Sequence, residues 1–438
     1  MTKLPEQFIE NMKKQLPETE WEAFFACYEK KSFKGVRLNP LKGGRYALKP
    51  LLPFLGAQVK WEENGYYVTE EKVGASPYHF AGAYYSQEPS AMCAAPLLDV
   101  QAGERVLDLC SAPGGKGTQL ACNMAGKGIV VLNEPISSRA KILSQNVERM
   151  GIKNAVVLNE YPDALAERFA GYFDKILVDA PCSGEGMFRK NADEALAEWS
   201  EENVEMCAQR QRGILDAATK MLRVGGRLVY STCTFSYAED EGQVCDYLQN
   251  HPEMRCIKQE KIYPHREDGE GHFAALFEKT ERVAEWDSRI KDGKPSVTVS
   301  GEKAYREFEK LFFHKKFAYR LYENNGTLYE LPEGVFDWKG LSVLRVGVRL
   351  GEVKNGRFEP SHALAMCVHP DECKNVLDLQ FTDVRVEKYL RGETIESEQT
   401  KNGWCLVCVS GLPLGLGKAV NGTVKNHLPK GLRKASNV

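Results

Sequence analysis

At 438 residues the chain is longer than a single hydrophobic core usually supports, and 43% hydrophobic with 27% charged residues is the balance of a folded, globular protein, not a disordered one. Its apolar runs fall short of the roughly 20 residues a membrane helix needs, the stretch MTKLPEQFIENMKKQLPE is too polar for a signal peptide, and 13 scattered cysteines do not make a disulfide scaffold. These exclusions predict a cytoplasmic protein of several domains with no membrane partner, most of whose cysteines are small buried hydrophobes; a net charge of −2 excludes a uniformly basic surface.

Residues 1–30 read as amphipathic helix, with Phe8, Met12, Leu16, Trp21, Phe24 and Phe25 at helical spacing, and short strands and turns then complete a small α+β unit over 1–90. Residues 30–50 carry seven Lys/Arg and no acid. The last 24 residues carry five Lys/Arg and no acid. Two such segments fit an anionic polymer as partner; solvated surface charge is the alternative.

From 91 to 281 short apolar runs alternate with helical patterns: RVLDLC (105–110), GIVVLNE (128–134), NAVVLN (154–159), FDKILVDAP (173–181) and GGRLVYSTCT (225–234), with GHFAALFEK (271–279) as a closing strand. In SSRAKILSQNVERMG a serine, Ser137 or Ser138, is placed to cap, and Ile142, Leu143, Val147 and Met150 make one face. The alternation predicts an α/β, doubly wound parallel sheet. Residues 282–304 are polar and read as a connection, within a connecting α+β region over 282–355. In LSVLRVGVRLG (341–351) apolar residues alternate with Arg345, Gly347 and Arg349, one strand with a polar face; a last domain spans 356–438. There, Cys405 and Cys408 have zinc-like spacing, but in a regular strand they point to opposite faces, and no metal site is assigned.

DLCSAPGGKGTQLA (108–121) follows the first strand of the parallel sheet and opens a helix, where ligands of such sheets bind. It fails as a Walker loop, because Cys110 stands where the first glycine belongs and Gly117 where the Ser/Thr belongs. It fails as a dinucleotide fingerprint, because Leu120 replaces the third glycine. A carboxylate, Glu134, at the end of the second strand is placed for ribose hydroxyls, with no pyrophosphate clamp beside it. A nucleoside without phosphates fits, and S-adenosylmethionine is the common one.

DAPCSGEG (179–186) and VYSTCTFS (229–236) put Asp179, Cys182 and Cys233 at the carboxyl ends of the fourth and fifth strands, on the rim that carries the glycine loop. Methyl transfer to carbon 5 of a pyrimidine needs such thiols: addition of a thiolate at carbon 6 makes carbon 5 nucleophilic, and the proton at carbon 5 and the thiol must afterwards leave. A thiol pKa below about 8.5 favours the step, and Asp179 is suited to hold the cytosine amino group or its ring nitrogen. An amino-group methyltransferase would carry Asn/Asp-Pro-Pro-aromatic at the fourth strand, where this chain has DAPC.

SAPGGK, DAPCSGEG and STCT, with RLNPLK and YSQEPSAM nearer the N-terminus, resemble the RNA (cytosine-5)-methyltransferases of the Sun/Fmu type, and GEGMFRK (184–190) with the C-terminal extension resembles the RsmF-like branch that modifies small-subunit ribosomal RNA. The resemblance implies a Rossmann-like class I methyltransferase domain between an N-terminal RNA-binding domain and a C-terminal PUA-like domain. It further implies Cys233 as nucleophile, with Cys182 acting in product release or as auxiliary base. The cofactor, S-adenosyl-L-methionine, is expected on Cys110, Ser111, Ala112, Pro113, Gly114, Gly115 and Lys116, with Glu134 at the ribose, Asp179 near the reacting centre and Arg139 assisting. On the adenine side Asn159, Glu160 and Asp163 are the alternatives, Asp163 being the one assigned to the cofactor. Phe188 and Arg189 are expected to stack on RNA or contact its phosphates. The expected partner is RNA, small-subunit ribosomal RNA or the assembled subunit, bound by a monomer; transfer RNA as substrate, or a catalytically idle RNA-binding assembly factor, are the rivals.

Overall fold

The computed structural model describes residues 4–69, 72–281, 290–293, 298–398 and 400–435. Residues 282–289 and 294–297, within the stretch expected as a connection, lie outside the described residues. The N-terminal amphipathic pattern forms two helices, α1 (Glu6–Gln15) and α2 (Glu18–Ala26), because Pro17 forces Leu16 before it into extended backbone. Strands β1 (Gly35–Leu38), β2 (Leu55–Gln58), β3 (Gly65–Val68) and β4 (Tyr84–Ser86) follow as an antiparallel sheet in the order β2-β3-β1-β4.

The central unit contains β5 (Arg105–Asp108), α3 (Gly115–Asn123), β6 (Ile129–Asn133), α4 (Ser137–Arg149), β7 (Ala155–Leu158), β8 (Phe173–Asp179), α5 (Glu201–Met221), β9 (Leu222–Thr232), α6 (Glu241–Asn250), β10 (Met254–Ile262) and β11 (His272–Lys279). Strands β5 to β9 are parallel, and β11 joins β9 antiparallel. Along α4 the buried stripe is Ala140, Leu143 and Val147, continued by Met150; Ile142 is exposed, and no serine side chain caps the helix. Strand β10 escapes the sequence pattern because its middle is polar and exposed, as suits a sheet edge.

In the C-terminal half β12 (Leu321–Asn324) and β13 (Thr327–Glu330) precede β14 (Val343–Val346), β15 (Val348–Lys354) and β16 (Arg357–Pro360). The alternating run at 341–351 is thus two strands. Gly347, at φ 54, turns the chain where an added Cβ would lie 2.1 Å from the Glu330 carbonyl oxygen. Strand β14 pairs with β7 and closes the central sheet, in the order β10-β11-β9-β8-β5-β6-β7-β14, while β15 enters the sheet β12-β13-β15-β16. Arg345 accordingly faces α4, donating to Ser144 and Glu148, and not solvent.

The last sheet, β17 (Val376–Leu379), β18 (Ile395–Glu396), β19 (Gly403–Val409), β20 (Leu412–Val420) and β21 (Thr423–Asn426), runs β17-β19-β20-β21-β18. One of its faces shares a core with the N-terminal sheet, where Val36, Leu38 and Tyr84 join a cluster with Leu379, Val407 and Leu414. Among the described residues no helix is long and apolar enough to cross a membrane.

Candidate active site

The strand order reverses between β5, which leads to β6 and β7, and β8, which leads to β9. A crevice opens at the carboxyl ends of strands at such a switch point. The glycine loop leaves β5 there and enters α3 through Gly114 at φ 111, a conformation that glycine adopts without strain. An added Cβ on Gly117 would lie 2.4 Å from Ser111 Oγ and 2.7 Å from Asp108 Oδ2, so glycine lets the helix sit down on the strand.

Lys116, in the first turn of α3, donates to Asp179 Oδ2 at 2.8 Å, and Ser231 donates to Asp179 Oδ1 at 2.9 Å. Burial opposes ionisation of Asp179, but Lys116 outweighs it and holds the carboxyl below the usual range. Burial likewise opposes the charge on Lys116, and Asp179 reverses the balance, so its pKa is raised.

Cys182 and Cys233 bring their sulfurs to 3.3 Å, and the Cys233 backbone N–H points at Cys182 Sγ at 3.4 Å. Both side chains are half-buried, whereas eight of the 13 cysteines, Cys405 and Cys408 among them, are buried. The hydrogen bond to Cys233, and then burial, push the Cys182 thiol well above its ordinary value, so it retains its proton. The loop between them is tied down: Ser183 N–H donates to Glu239 at 3.0 Å, Gly186 N–H to the Cys233 carbonyl at 2.9 Å, and Phe235 N–H to Glu185 Oε2 at 3.0 Å. Burial pushes Glu185 up to about 7.

At the end of β6 the Glu134 carboxylate meets Arg139 at 3.3 Å and accepts from Ile136 N–H at 3.0 Å. Arg139 also donates to the Ala112 carbonyl at 2.9 Å, which links this acid to the glycine loop. Of the three alternatives after β7, Asn159 spends its amide on the Glu134 and Pro135 carbonyls and Glu160 accepts from Ser342 N–H, while Asp163 is exposed in the first turn of the short helix Pro162–Ala166. Cys110 is half-buried in the loop, its pKa raised by burial.

Phe188 and Arg189 are not on an RNA-facing surface. Phe188 is 0% exposed, packed on Phe8 with ring centroids at 5.1 Å, and Arg189 forms a two-pronged ion pair with Glu270 at 2.7 and 2.9 Å. Helices α1 and α2 cover this loop, which nothing local to residues 184–190 announces. In the basic segment 30–50, Arg37 and Lys42 are buried, while Lys30, Lys31, Lys34 and Lys49 remain exposed. In the C-terminal segment Lys418, Lys425 and Lys430 are exposed.

Three residues of the site escaped the sequence reading. Asp108 ends β5 beneath the loop with both carboxylate oxygens buried, and burial, opposed by Ser111, pushes it up to about 7. His272, at the start of β11, is buried beside Lys116 and Asp179 and lowered to about 3, chiefly by burial, so it is neutral. Ser231 completes the seat of Asp179. An acid closing the first strand was a legible signal; the histidine and serine enter through strand pairing alone.

The fold, the glycine loop and the acid at the end of β6 define an S-adenosylmethionine-dependent methyltransferase. Its fold is shared with the solved structure of PH0851, at TM-score 0.58 and 29% identity over 63% of this chain and 66% of that one. NSun6 from Pyrococcus horikoshii, solved with SFG, shares the fold at TM-score 0.58 and 21% identity over 64% and 99% of the two chains. A family model described as 16S rRNA methyltransferase RsmB/F matches residues 95–278; the N-terminal domain of 16S rRNA methyltransferase RsmF matches 4–89, the RsmF rRNA methyltransferase first C-terminal domain 307–368, and the methyltransferase RsmF PUA domain 376–434. The chain is 31% identical to the ribosomal RNA small subunit methyltransferase F of Vibrio cholerae serotype O1, over 99% of this chain and 98% of that relative, and 32% identical to the protein of that name in Vibrio vulnificus, with the same coverage. The chain therefore belongs to the RsmB/F family of 16S rRNA methyltransferases.

Proposed function

We propose that this protein methylates carbon 5 of a cytosine in small-subunit ribosomal RNA through a covalent adduct between Cys233 and carbon 6. The observation that carries the reading is the pair of half-buried sulfurs 3.3 Å apart on the rim that also holds the Lys116–Asp179 pair. Reactions at nitrogen or oxygen need no thiol, whereas carbon 5 of a pyrimidine does.

S-adenosylmethionine supplies an electrophilic methyl group when bound. The residues fit it: the buried acceptors of Asp108 suit its cationic end, Glu134 suits a ribose, and residues 110–116 supply the glycine-rich cradle. Arg139 steadies Glu134 and the loop, and Asp163 is assigned to the adenine side. On the RNA side Asp179, ionised, accepts from the cytosine amino group or its protonated ring nitrogen as Cys233 adds. At release the proton on carbon 5 passes to water, its bonding pair becomes the carbon 5–carbon 6 double bond, and the electron pair of the carbon–sulfur bond returns to Cys233. Cys182, its sulfur 3.3 Å from that of Cys233, assists this step, in product release or as auxiliary base.

The target base must be unpaired or flipped to meet a thiolate. Exposed lysines of the N-terminal unit (1–90) and of the C-terminal PUA-like unit (356–438) bind phosphates around it. The working form is a cytoplasmic monomer.

The test uses the unaltered protein, Cys182→Ala and Cys233→Ala, each incubated with labelled S-adenosylmethionine and either small-subunit RNA or transfer RNA, then run on a denaturing gel. The expected result is labelled RNA trapped on Cys182→Ala and neither adduct nor product with Cys233→Ala. Methylation by Cys233→Ala would exclude Cys233 as nucleophile, and labelling of transfer RNA alone would overturn the substrate.

A further inference from the structure

The RLNPLK and YSQEPSAM stretches lie in and at the end of the N-terminal unit, yet Arg37, Asn39, Tyr85, Gln87 and Glu88 in them are buried. Arg37, 1% exposed, donates to Gln87 Oε1 at 3.1 Å, to Thr118 Oγ1 at 2.8 Å and to the Gly115 carbonyl at 3.1 Å. Tyr85 donates its hydroxyl to the Pro113 carbonyl at 3.3 Å, and its ring lies 5.9 Å from the Arg37 guanidinium.

Every carbonyl of the glycine loop from Ala112 to Gly115 is therefore held by a side chain: Arg139 at 112, Asn146 and Tyr85 at 113, Thr118 at 114 and Arg37 at 115. In a trans peptide the following N–H points opposite to the carbonyl. Tying back the carbonyls of 113, 114 and 115 thus sets the direction of the N–H groups of Gly114, Gly115 and Lys116, the donors of an α3 terminus that faces the crevice. Two of these ties come from the N-terminal unit.

We infer that the N-terminal unit braces the cofactor loop: Arg37 and Tyr85 are positioning residues that preorganise it for S-adenosylmethionine, in addition to any contact this unit makes with RNA. A buried guanidinium with three oxygen acceptors has no ionic partner among the described residues, so its arrangement serves the loop and not a surface charge. The inference rests on the assignment of residues 110–116 to the cofactor.

The experiment is hydrogen exchange of the unaltered, RNA-free protein with and without S-adenosylhomocysteine, alongside calorimetric binding of S-adenosylhomocysteine to Arg37→Met and Tyr85→Phe. Protection is expected at 109–123 and also at 35–38 and 84–86. Arg37→Met is expected to weaken binding about tenfold and Tyr85→Phe about threefold, the scale of a lost hydrogen bond with and without charge, with kcat at saturating cofactor kept within about twofold. Protection confined to 109–123, or wild-type affinity in both variants, overturns the brace and leaves the loop assignment standing. Absence of protection at 109–123 overturns the loop assignment and the brace with it.

Discussion

Two pairs of cysteines end or line strands in this molecule, and they meet opposite fates. Cys182 and Cys233, 51 residues apart, converge to 3.3 Å on an open rim. Cys405 and Cys408, three residues apart in β19, part company: Cys405 packs in the core shared with the N-terminal sheet, and Cys408 packs on the other face with Phe313, Leu364 and Leu416. Nearness in sequence says little about a thiol pair. What matters is whether strand ends or strand faces carry it, because side chains alternate along a strand whereas neighbouring parallel strands end on one rim.

The largest expected break of this contrast is Cys233→Ala, which lowers the methylation rate at least about a thousandfold, the scale of losing a covalent nucleophile, while Cys408→Ala keeps full activity in the same assay. Next, thiol-specific alkylation of the native protein followed by mass spectrometry marks exposed Cys245 and then half-buried Cys233, and reaches Cys405 and Cys408 only on unfolding. Labelling of Cys405 under native conditions would show that its core opens locally. Cys405→Ala and Cys408→Ala each lower stability by about 1 kcal/mol, as deletion of one small buried group does, measured by urea unfolding.

A further contrast is read by pH. Burial raises Asp108 and Glu185 to about 7 from ordinary values of 3.8 and 4.5. The folded chain therefore holds protons that the unfolded chain has released, and the stability tied to them is complete below the ordinary values and is lost as pH rises through about 7. Asp108→Asn and Glu185→Gln flatten this slope in unfolding curves taken between pH 5 and 8, and an unchanged slope would mean these acids are ionised in the fold.

Much of the central sheet was legible because strands buried on both faces read as plain apolar runs; β5, β6, β7, β8 and β11 all fall within them. The polar edge strand β10 carries no such run. The break at Gly347 was invisible because alternation continues across it, and only a second sheet nearby explains the turn. Phe188, Arg189 and Arg37 were misread for a related reason: a basic or aromatic residue in a loop looks exposed until another element covers it.

By itself the sequence determined which side chains the rim carries. Glycines placed after an apolar strand, an acid at the next strand end and two thiols at the ends of two more are local features, legible from spacing and strand period. Only the tertiary structure decided which charges face inward, which thiols share a space, and that Arg37 and Tyr85 of the N-terminal unit hold carbonyls of the glycine loop. Those facts depend on contacts between residues tens to hundreds of positions apart, and no local pattern encodes the side from which a neighbour arrives.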